Sequence, residues 1–465
     1  MKQFSFMIKT FGCQMNERDS EIMGQLLSEK GYIESMDMDN ADVVILNTCS
    51  IRAKAEQKAM SLLGVLRKVK KKRPSMKICI AGCVAQQEGQ AILERMSHVD
   101  LVIGPQNLYE LAGLLATLDG TPRVAIGMSD SYEIPAFIPA LPRLLQQEEL
   151  QSSTPIAPFR KFLTIMQGCN NYCTYCVVPY TRGREISRKV HDILDEAHVL
   201  VDAGVREITL LGQNVNSYGR TNQVTDAGTV YSFSQLLREV AAIEGLKRLR
   251  FTTSNPKDLS AELMRCFGDI EILCPQFHLP VQSGSNAVLA RMNRKYTREL
   301  YLQQVADLRA VRPDIALSTD VIAGFPGESD IDFEQTMDLL EEVRFHSSFS
   351  FKYSDRPGTR SADFDDKVDE QVKSQRLSRF QGRQDAICLE QNSLYVGKSL
   401  PIMIEKLTEK GLVGRTETNH IVHVEEKIVC APGDIMTVTI IHAGQHSLNG
   451  TLTDRVHHHT TGESS

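Results

Sequence analysis

The sequence predicts an α/β protein built from an N-terminal parallel-sheet α/β domain, a central partial (β/α)6 barrel and a small C-terminal β-barrel of the OB kind. Three observations predict this fold class. Strand and helix patterns alternate near the N-terminus, alternate again through about six βα units in the centre, and give way to a period of two near the C-terminus. The predicted boundaries are 1–125 for the first domain, 126–157 for a linker, 158–390 for the core, 391–456 for the barrel and 457–465 for a tail.

Four short apolar runs predict the strands of the N-terminal domain. They lie at 4–10, 42–47, 77–81 and 99–103, and the run at 99–103 is the last strand of the predicted sheet. Amphipathic stripes between the runs predict helices, and Asn16 can cap the first of them. An alternation of this kind forms a parallel sheet that helices cover on both faces.

One cysteine follows each of the first three predicted strands: Cys13, Cys49 and Cys83. Ligands of open parallel sheets bind beyond the carboxyl ends of the strands, so three thiolates at that edge could hold a metal cluster. Gly12 and Gly82 would let the backbone approach such a bulky group. Three scattered free cysteines are the alternative, and the repeated strand–cysteine–helix placement argues against it.

A second cysteine group follows the first strand of the central part, with the spacing Cys169-x3-Cys173-x2-Cys176. Three thiolates can hold three irons of a cubane iron–sulfur cluster and leave the fourth iron open to a small molecule. A zinc knuckle is one alternative, but structural zinc takes four ligands, usually as two separated pairs, and no second pair lies nearby. Three buried thiols are the other alternative.

Regular alternation predicts the elements of the central part. The predicted strands lie at 162–166, 207–211, 249–252, 276–279, 315–323 and 349–352, and the predicted helices at 190–201, 233–243, 259–267, 287–292, 298–311 and 332–343. A (β/α) barrel carries its chemistry at the C-terminal ends of its strands, where Gly212, Gln213, His278, Gln282 and Asp320 lie. For each of these residues, a turn or rim position without ligand contact is the alternative interpretation.

The C-terminal part changes to a period of two after a helical connector at 367–391. Five short strands are predicted at 399–405, 412–417, 421–425, 434–441 and 447–453. Five strands of this kind suggest an OB-like barrel, an architecture that frequently binds RNA. Glu425 and Glu426 make this module less basic than an RNA-binding surface usually is.

Composition and charge narrow the class of protein. No apolar run reaches the roughly 18 residues of a membrane helix, and the N-terminus lacks the pattern of a signal peptide, so we expect a cytoplasmic protein without a membrane partner. Eleven cysteines in that compartment favour metal or catalytic duty over disulfides. The net charge of −6 does not exclude nucleic acid, because binding needs only a local basic surface, and basic groups occur at 68–73, 182–189 and 291–298.

Several motifs resemble those of a known family. Residues 167–178, with Tyr175 just before the last cysteine, resemble the cluster loop of radical S-adenosylmethionine (radical SAM) enzymes. The segments 9–16, 47–52 and 81–83 look like the N-terminal domain of methylthiotransferases. Segment 351–359 is similar to the tRNA-modifying branch of that family, and 414–419 looks like the TRAM domain, an RNA-binding module.

The resemblance implies the cofactors. Each cysteine group would hold one [4Fe–4S] cluster; the loop cluster would cleave SAM reductively, and the N-terminal cluster would present a sulfur that a second SAM methylates. Arg291 could pair with the SAM carboxylate as a bidentate donor. The implied cofactor contacts as a whole are Tyr175, Gly212, Gln213, His278, Gln282, Arg291 and Asp320.

The resemblance also implies the substrate and the partners. The substrate would be N6-isopentenyladenosine next to the anticodon, in the anticodon stem-loop of a tRNA, with the new group at C2 of the base. An electron donor such as flavodoxin or ferredoxin would serve the reaction, and the chain would act as a monomer. Two rival functions stay open: the same chemistry on a ribosomal protein side chain, and a non-catalytic iron–sulfur RNA-binding redox sensor.

Overall fold

The computed structural model describes residues 3–50, 53–140, 159–221, 225–226 and 229–453. The end of the second cysteine motif (51–52), most of the predicted linker (141–157) and the predicted tail (457–465) lie outside the described residues. The chain divides into two compact units, and the predicted domain boundaries stay predictions. The first unit comprises Met1–Leu273, Asn286–Thr297 and Ser354–Lys367; the second comprises Cys274–Ser285, Arg298–Tyr353 and Val368–Ser465.

The first unit opens with a six-stranded sheet in which every strand pair is parallel. Its strands are β1 (Ser5–Phe11), β2 (Ile33–Glu34), β3 (Val43–Thr48), β4 (Lys77–Gly82), β5 (Leu101–Ile103) and β6 (Arg123–Ala125), in the order β2-β1-β3-β4-β5-β6. Its helices are α1 (Gln14–Glu29), α2 (Ala53–Lys72), α3 (Cys83–Glu88), α4 (Gln90–Arg95) and α5 (Leu111–Ala116). The prediction that 99–103 is the last strand was wrong, because β6 pairs beyond β5.

The two faces of this sheet are both buried, which explains the unbroken apolar run of β3. Val43 and Ile45 pack into one core cluster with α1 and α5, whereas Val44 and Leu46 pack into another with α2. Side chains alternate along a strand, so a strand covered on both sides needs apolar residues at every position. The predicted helix-covered parallel sheet is confirmed.

Two predictions about the surroundings of α1 were wrong. Asn16 does not cap this helix: Cys13 is the N-cap residue, and Asn16 lies inside the helix with its amide bonded to Asn47. The first part of the predicted linker does not simply run over the surface, because Phe137 is buried in the core cluster and lies under the guanidinium of Arg18. In both cases, tertiary contacts override the local preference: Asn16 bonds to Asn47 instead of capping the helix, and Phe137 packs into the core instead of lying in an exposed linker.

The central part supplies six parallel strands in two three-stranded sheets: β7-β10-β13 belongs to the first unit and β14-β15-β16 to the second. Its strands are β7 (Arg160–Thr164), β8 (Met166–Gln167), β9 (Ile186–Ser187), β10 (Glu207–Leu211), β11 (Thr225–Asp226), β12 (Thr229–Val230), β13 (Arg248–Phe251), β14 (Gln276–His278), β15 (Ala316–Ala323) and β16 (Ser347–Lys352). Its helices are α6 (Val178–Thr181), α7 (Val190–Asp202), α8 (Phe233–Ala241), α9 (Ala261–Asp269), α10 (Asn286–Arg291), α11 (Arg298–Val311) and α12 (Asp330–Val343).

The C-terminal part of the second unit is a closed five-stranded barrel, as the period of two predicted. Helix α13 (Glu370–Ser393) leads to β17 (Ser399–Thr408), β18 (Gly411–Thr416), β19 (Ile421–Val424), β20 (Ile435–Ala443) and β21 (Ser447–Leu452), which close in the order β17-β18-β19-β21-β20. Ile402, Val422 and Val438 point into its core. Within the described residues, none of the helices combines the length and the apolar character needed to cross a membrane.

Candidate functional site

The N-terminal cysteines meet at one edge of the first sheet, as the strand positions predicted. Phe11 pairs with Thr48 and Thr48 pairs with Gly82, so the carboxyl ends of β1, β3 and β4 are neighbours. Cys49 directly follows β3, Cys83 directly follows β4, and Cys13 follows β1 by two residues. Three residues that are far apart in sequence therefore share one small region. We call Cys13, Cys49 and Cys83 the N-terminal triad.

Gly12 and Asn16 hold the N-terminal triad together. Gly12 has a φ of 144°, and a Cβ at this position would lie 2.2 Å from Cβ of Cys49, so only glycine lets the two segments approach this closely. Sγ of Cys13 donates to Oδ1 of Asn16 at 3.2 Å. Nδ2 of Asn16 in turn donates to Oδ1 of Asn47 at 2.8 Å, which ties α1 to the end of β3.

Arg182 places a positive charge beside the N-terminal triad. A hydrogen bond with Cys49 lowers the pKa of Cys13 to about 6 against the effect of burial, and the positive charge of Arg182 acts in the same direction. Burial raises the pKa of Cys83, and Arg182 again opposes it. Arg182 is 3% exposed, and its Nη2 donates to Oδ2 of Asp19 at 2.6 Å. Its Nη1 is buried without a hydrogen-bond partner among the described residues. An anionic acceptor bound at this edge of the sheet would therefore be stabilised.

The second group, which we call the loop triad, consists of Cys169, Cys173 and Cys176. Its loop begins at Gly168, whose φ is 80° and whose Cβ would lie 2.0 Å from the carbonyl oxygen of Arg184. The Cys169 N–H donates to the carbonyl of Gly183 at 3.2 Å, and the Cys176 N–H donates to that of Cys173 at 3.0 Å. The loop is thus folded back on itself and pinned to residues 183–184.

The electrostatics of the loop triad differ from those of the N-terminal triad. Burial raises the pKa of Cys169 to about 11 and that of Cys176 to about 12. Side chains donate to two of its sulfurs: Nδ2 of Asn171 lies 3.4 Å from Sγ of Cys169, and Nη1 of Arg294 lies 3.3 Å from Sγ of Cys173. Tyr175, predicted as a cofactor contact, lies close to Cys173, Cys176 and Arg294.

The end of β10 lies against the loop triad in the same unit. Oε1 of Gln213 accepts a hydrogen bond from the Gly168 N–H at 2.5 Å, so this predicted acceptor for SAM is occupied by the loop. A Cβ on Gly212 would lie 2.4 Å from Cγ of Met166, so the close approach here is made by a side chain. Nε2 of Gln213, Oδ1 of Asn214 and Oδ1 of Asn216 are buried without hydrogen-bond partners among the described residues. A polar ligand bound here would satisfy these atoms.

Three other predicted contacts come together in the second unit. Nδ1 of His278 lies 3.0 Å from Oγ of Ser318, and its Nε2 lies 3.5 Å from Oδ2 of Asp320. Gln282 is buried, has a φ of 71° and bonds through its N–H to the Asp320 carbonyl at 2.8 Å. A left-handed conformation at a glutamine is uncommon and marks this turn as a specialised position.

Arg291 belongs to the first unit, where its guanidinium faces an acidic partner. Its Nη2 donates to both carboxylate oxygens of Asp366 at 2.7 and 2.8 Å, and the ring of Phe364 lies under it. The predicted pairing of Arg291 with a SAM carboxylate would therefore compete with Asp366. Arg294, three residues further on, is the arginine that contacts a cysteine of the loop triad.

The segment 182–183 connects the two triads. Arg182 lies beside Cys13 and Cys83 through its side chain, while the neighbouring Gly183 carbonyl receives the Cys169 N–H. Among the described residues, no three His, Cys, Asp or Glu side chains converge closely enough to hold a single metal ion. A cubane cluster makes a different demand, because each cysteine binds its own iron. Two groups of three buried or half-buried thiols fit that donor set.

Comparison with known proteins matches a different family model to each of the two cysteine triads. A model described as "Uncharacterized protein family UPF0004" matches residues 5–104, and a model of the "Radical SAM superfamily" matches residues 163–340. A tRNA-2-methylthio-N(6)-dimethylallyladenosine synthase of Desulfotalea psychrophila is 58% identical, over 98% of this chain and 100% of that protein. The chain belongs to this synthase family.

A second member of the family is also similar to this chain, and a solved structure shares its fold. The synthase of Syntrophobacter fumaroxidans is 46% identical, over 96% of this chain and 95% of that protein. The radical S-adenosylmethionine methyltransferase TsrM from Kitasatospora setae matches with a TM-score of 0.53 at 13% identity, over 75% of this chain and 73% of that chain, and shows a shared fold. The predicted family and the predicted fold class of this synthase-family chain are confirmed.

Two buried arginines of this synthase-family chain were not predicted as site residues. The sequence placed Arg182 and Arg188 in a basic surface, but both are buried in ion pairs with Asp19 and Glu196, so that interpretation was wrong. Arg294 was grouped with other basic residues for the same reason. One signal was available: each of these arginines lies close in sequence to a cysteine motif or to a predicted cofactor contact.

Proposed function

We propose that this chain is a radical SAM tRNA methylthiotransferase, which inserts sulfur at C2 of N6-isopentenyladenosine next to the anticodon and methylates it. One observation carries the proposal: six cysteines form two triads in one compact unit, and the segment 182–183 contacts both. Relatives that match nearly the whole chain carry the name of this activity. The reaction consumes two SAM molecules, one as methyl donor and one as radical source.

The loop triad would hold one [4Fe–4S] cluster through Cys169, Cys173 and Cys176 and leave one iron for SAM. When bound, this group supplies the electron that splits SAM and yields a 5′-deoxyadenosyl radical, which a C–H bond without an acidic proton requires. Gln213 fixes the backbone of the loop through Gly168, and its free amide N–H faces a buried site where a polar ligand can accept it. Cys169 and Cys173 are buried, which limits access of water to this part of the loop.

The N-terminal triad would hold the second [4Fe–4S] cluster through Cys13, Cys49 and Cys83. The unpaired Nη1 of Arg182 offers a positive donor to the negative sulfur of that site. His278, Gln282 and Asp320 are proposed as contacts to SAM or to the substrate base, from the second unit.

The tRNA would bind through the closed barrel of β17 to β21, whose architecture suits RNA. The target base must leave its stack to reach a buried site, as in other enzymes that modify bases. We further propose that flavodoxin or ferredoxin supplies the electron, that the chain acts as a monomer, and that the reaction takes place in the cytoplasm, where tRNA is found.

Substrate choice tests this proposal. The anaerobically reconstituted chain is incubated with SAM, a reductant and either tRNA carrying N6-isopentenyladenosine or ribosomal protein, and the products are analysed by mass spectrometry. We expect a methylthio mass increase on the tRNA nucleoside only. Product on ribosomal protein alone would instead establish the protein-modifying branch. A chain that binds tRNA but leaves SAM intact, with no change in the paramagnetic resonance spectrum on adding SAM, would identify a redox sensor.

A further inference from the structure

The turn that follows α10 is fastened to the cysteine loop. The Thr174 N–H donates to the Met292 carbonyl at 3.1 Å, and Oγ1 of Thr174 donates to the Arg291 carbonyl at 3.0 Å. Nδ2 of Asn293, a residue with a φ of 58°, donates to the Tyr172 carbonyl at 2.9 Å. The position of the turn relative to the loop is therefore fixed on both sides of Cys173.

Arg294 uses this fixed position to bring a charge to one sulfur. Its Nη1 lies 3.3 Å from Sγ of Cys173, and its Nε donates to the Tyr296 hydroxyl at 2.9 Å. The guanidinium also lies 5.0 Å from the centre of the Tyr296 ring. A guanidinium is planar and keeps its charge at any physiological pH, so these contacts set both its place and its direction.

The donors to the loop triad are not equivalent. Cys173 receives a donor with a full positive charge, whereas the donor to Cys169 is the neutral amide of Asn171. Hydrogen bonds from charged donors are roughly twice as strong as neutral ones. Hydrogen bonds to the sulfurs and the net charge around an iron–sulfur cluster are among the factors that set its reduction potential.

We propose that Arg294 sets the reduction potential of the cluster held by the loop triad, by keeping a positive charge against the sulfur of Cys173. Reduction adds one negative charge to the cluster, and a nearby cation stabilises the reduced form more than the oxidised form. The reduction potential of the cluster is therefore raised. Arg294 is a positioning residue that acts through Cys173. The inference requires only that the loop triad holds a cluster and does not depend on the substrate.

A redox titration in the absence of SAM and tRNA tests this inference. Cys13, Cys49 and Cys83 are all replaced by Ala, so that only the loop cluster contributes to the electron paramagnetic resonance signal. Arg294→Gln, Arg294→Lys and Tyr296→Phe are compared in that background. We expect Arg294→Gln to lower the midpoint potential by at least the equivalent of a tenfold smaller reduced fraction, about 59 mV for one electron. Arg294→Lys keeps the charge and should stay within threefold of the parent. Tyr296→Phe removes the hydroxyl that orients the guanidinium but keeps the ring, so it should lower the midpoint by less than Arg294→Gln does.

The midpoint comes only from loaded protein, so incomplete loading of a variant does not affect the comparison. An unchanged midpoint in Arg294→Gln would overturn the inference. If Arg294→Gln takes up no iron, Arg294→Lys decides: a parent-like potential supports a charge effect, and a tenfold shift overturns it. None of these results tests methylthiolation of tRNA. That activity is tested separately, by product analysis with the chain that keeps all six cysteines.

Discussion

The two cysteine triads are built in opposite ways. The loop triad lies within eight residues, 169–176, and needs only one loop, folded back by Gly168 and pinned to Gly183. The N-terminal triad draws on the ends of β1, β3 and β4, which become neighbours only when the parallel sheet forms. The first arrangement is local and the second depends on the whole domain. Substitutions that weaken packing should therefore destabilise the N-terminal triad before they destabilise the loop triad.

The triads also differ in charge. A hydrogen bond with Cys49 lowers the pKa of Cys13 to about 6, which favours the thiolate form of this cysteine, whereas burial raises the pKa of Cys83 in the same triad. Burial raises the pKa of Cys169 to about 11 and that of Cys176 to about 12, so metal binding there must displace protons. Cys13 should therefore bind iron with less proton release than Cys169 or Cys176. The proposed duties are sulfur insertion at the N-terminal triad and SAM cleavage at the loop triad.

The largest expected effect separates those duties. Cys173→Ala should abolish SAM cleavage, because the loop triad then holds at most two irons directly. Cys49→Ala should retain SAM cleavage and lose sulfur insertion, because the radical site stays intact. Deoxyadenosine release and nucleoside mass are measured in parallel, and Cys430→Ala, at a half-buried cysteine of the second unit, serves as a matched cysteine control. Methylthio product from Cys49→Ala would refute the division of labour.

The second prediction concerns Glu196, whose ion pair with Arg18 holds α1, the helix that begins directly after Cys13. Glu196 on α7 is fully buried and binds both Arg18 of α1 and Arg188. Glu196→Gln removes the negative charge that Arg18 and Arg188 share; Arg18 keeps its ion pair with Glu21, whereas the buried Arg188 loses its carboxylate, which costs about 3–5 kcal/mol. We expect a lower urea midpoint for the first unit and loss of iron from the N-terminal triad before the loop triad.

The exposed Glu239→Gln on α8 is the control for that prediction, with an expected change within about 0.5 kcal/mol. Iron and sulfide counts in backgrounds lacking one triad assign the loss to a site. Equal loss from both triads would show that the N-terminal triad does not depend on packing more than the loop triad does.

A smaller effect depends on pH. Burial would raise the pKa of Glu21, but the charges of Lys161 and Arg18 lower it to about 2 from its ordinary value of 4.5. The unfolded chain therefore binds the proton first as pH falls, and the stabilisation by Glu21 is complete above about 4.5 and disappears toward pH 2. In metal-free protein, Glu21→Gln should lose at most about 3 kcal/mol at pH 7 and progressively less below pH 4.5. A difference that does not change between pH 7 and 3 would contradict the ion pairs.

The smallest effect concerns the neutral donor of the loop triad. Asn171→Ala removes the amide beside Cys169 and should lower the potential of the loop cluster by about half of the Arg294→Gln shift. The same paramagnetic resonance titration measures it. A shift as large as that of Arg294→Gln would mean that donor charge is not what distinguishes the two sulfurs.

Local patterns in the sequence predicted both cysteine triads. Cysteine spacing marked 169–176, and the alternation of apolar runs predicted the sheet edge that gathers Cys13, Cys49 and Cys83. Buried charge was not predictable in this way. Arg182, Arg188 and Arg294 look like solvated residues in the sequence, and only the tertiary structure supplies Asp19, Glu196 and Cys173 as their partners. Strand β6 was missed because three half-buried residues show no clear period.

The central claim is that two incompletely ligated clusters lie side by side in one unit, joined by the segment 182–183. The most direct measurement is the electron paramagnetic resonance spectrum of the fully reduced chain, compared with variants that lack one triad. We predict splitting or accelerated relaxation from spin–spin coupling, with about eight irons per chain. A spectrum equal to the sum of the two single-triad variants would contradict the account.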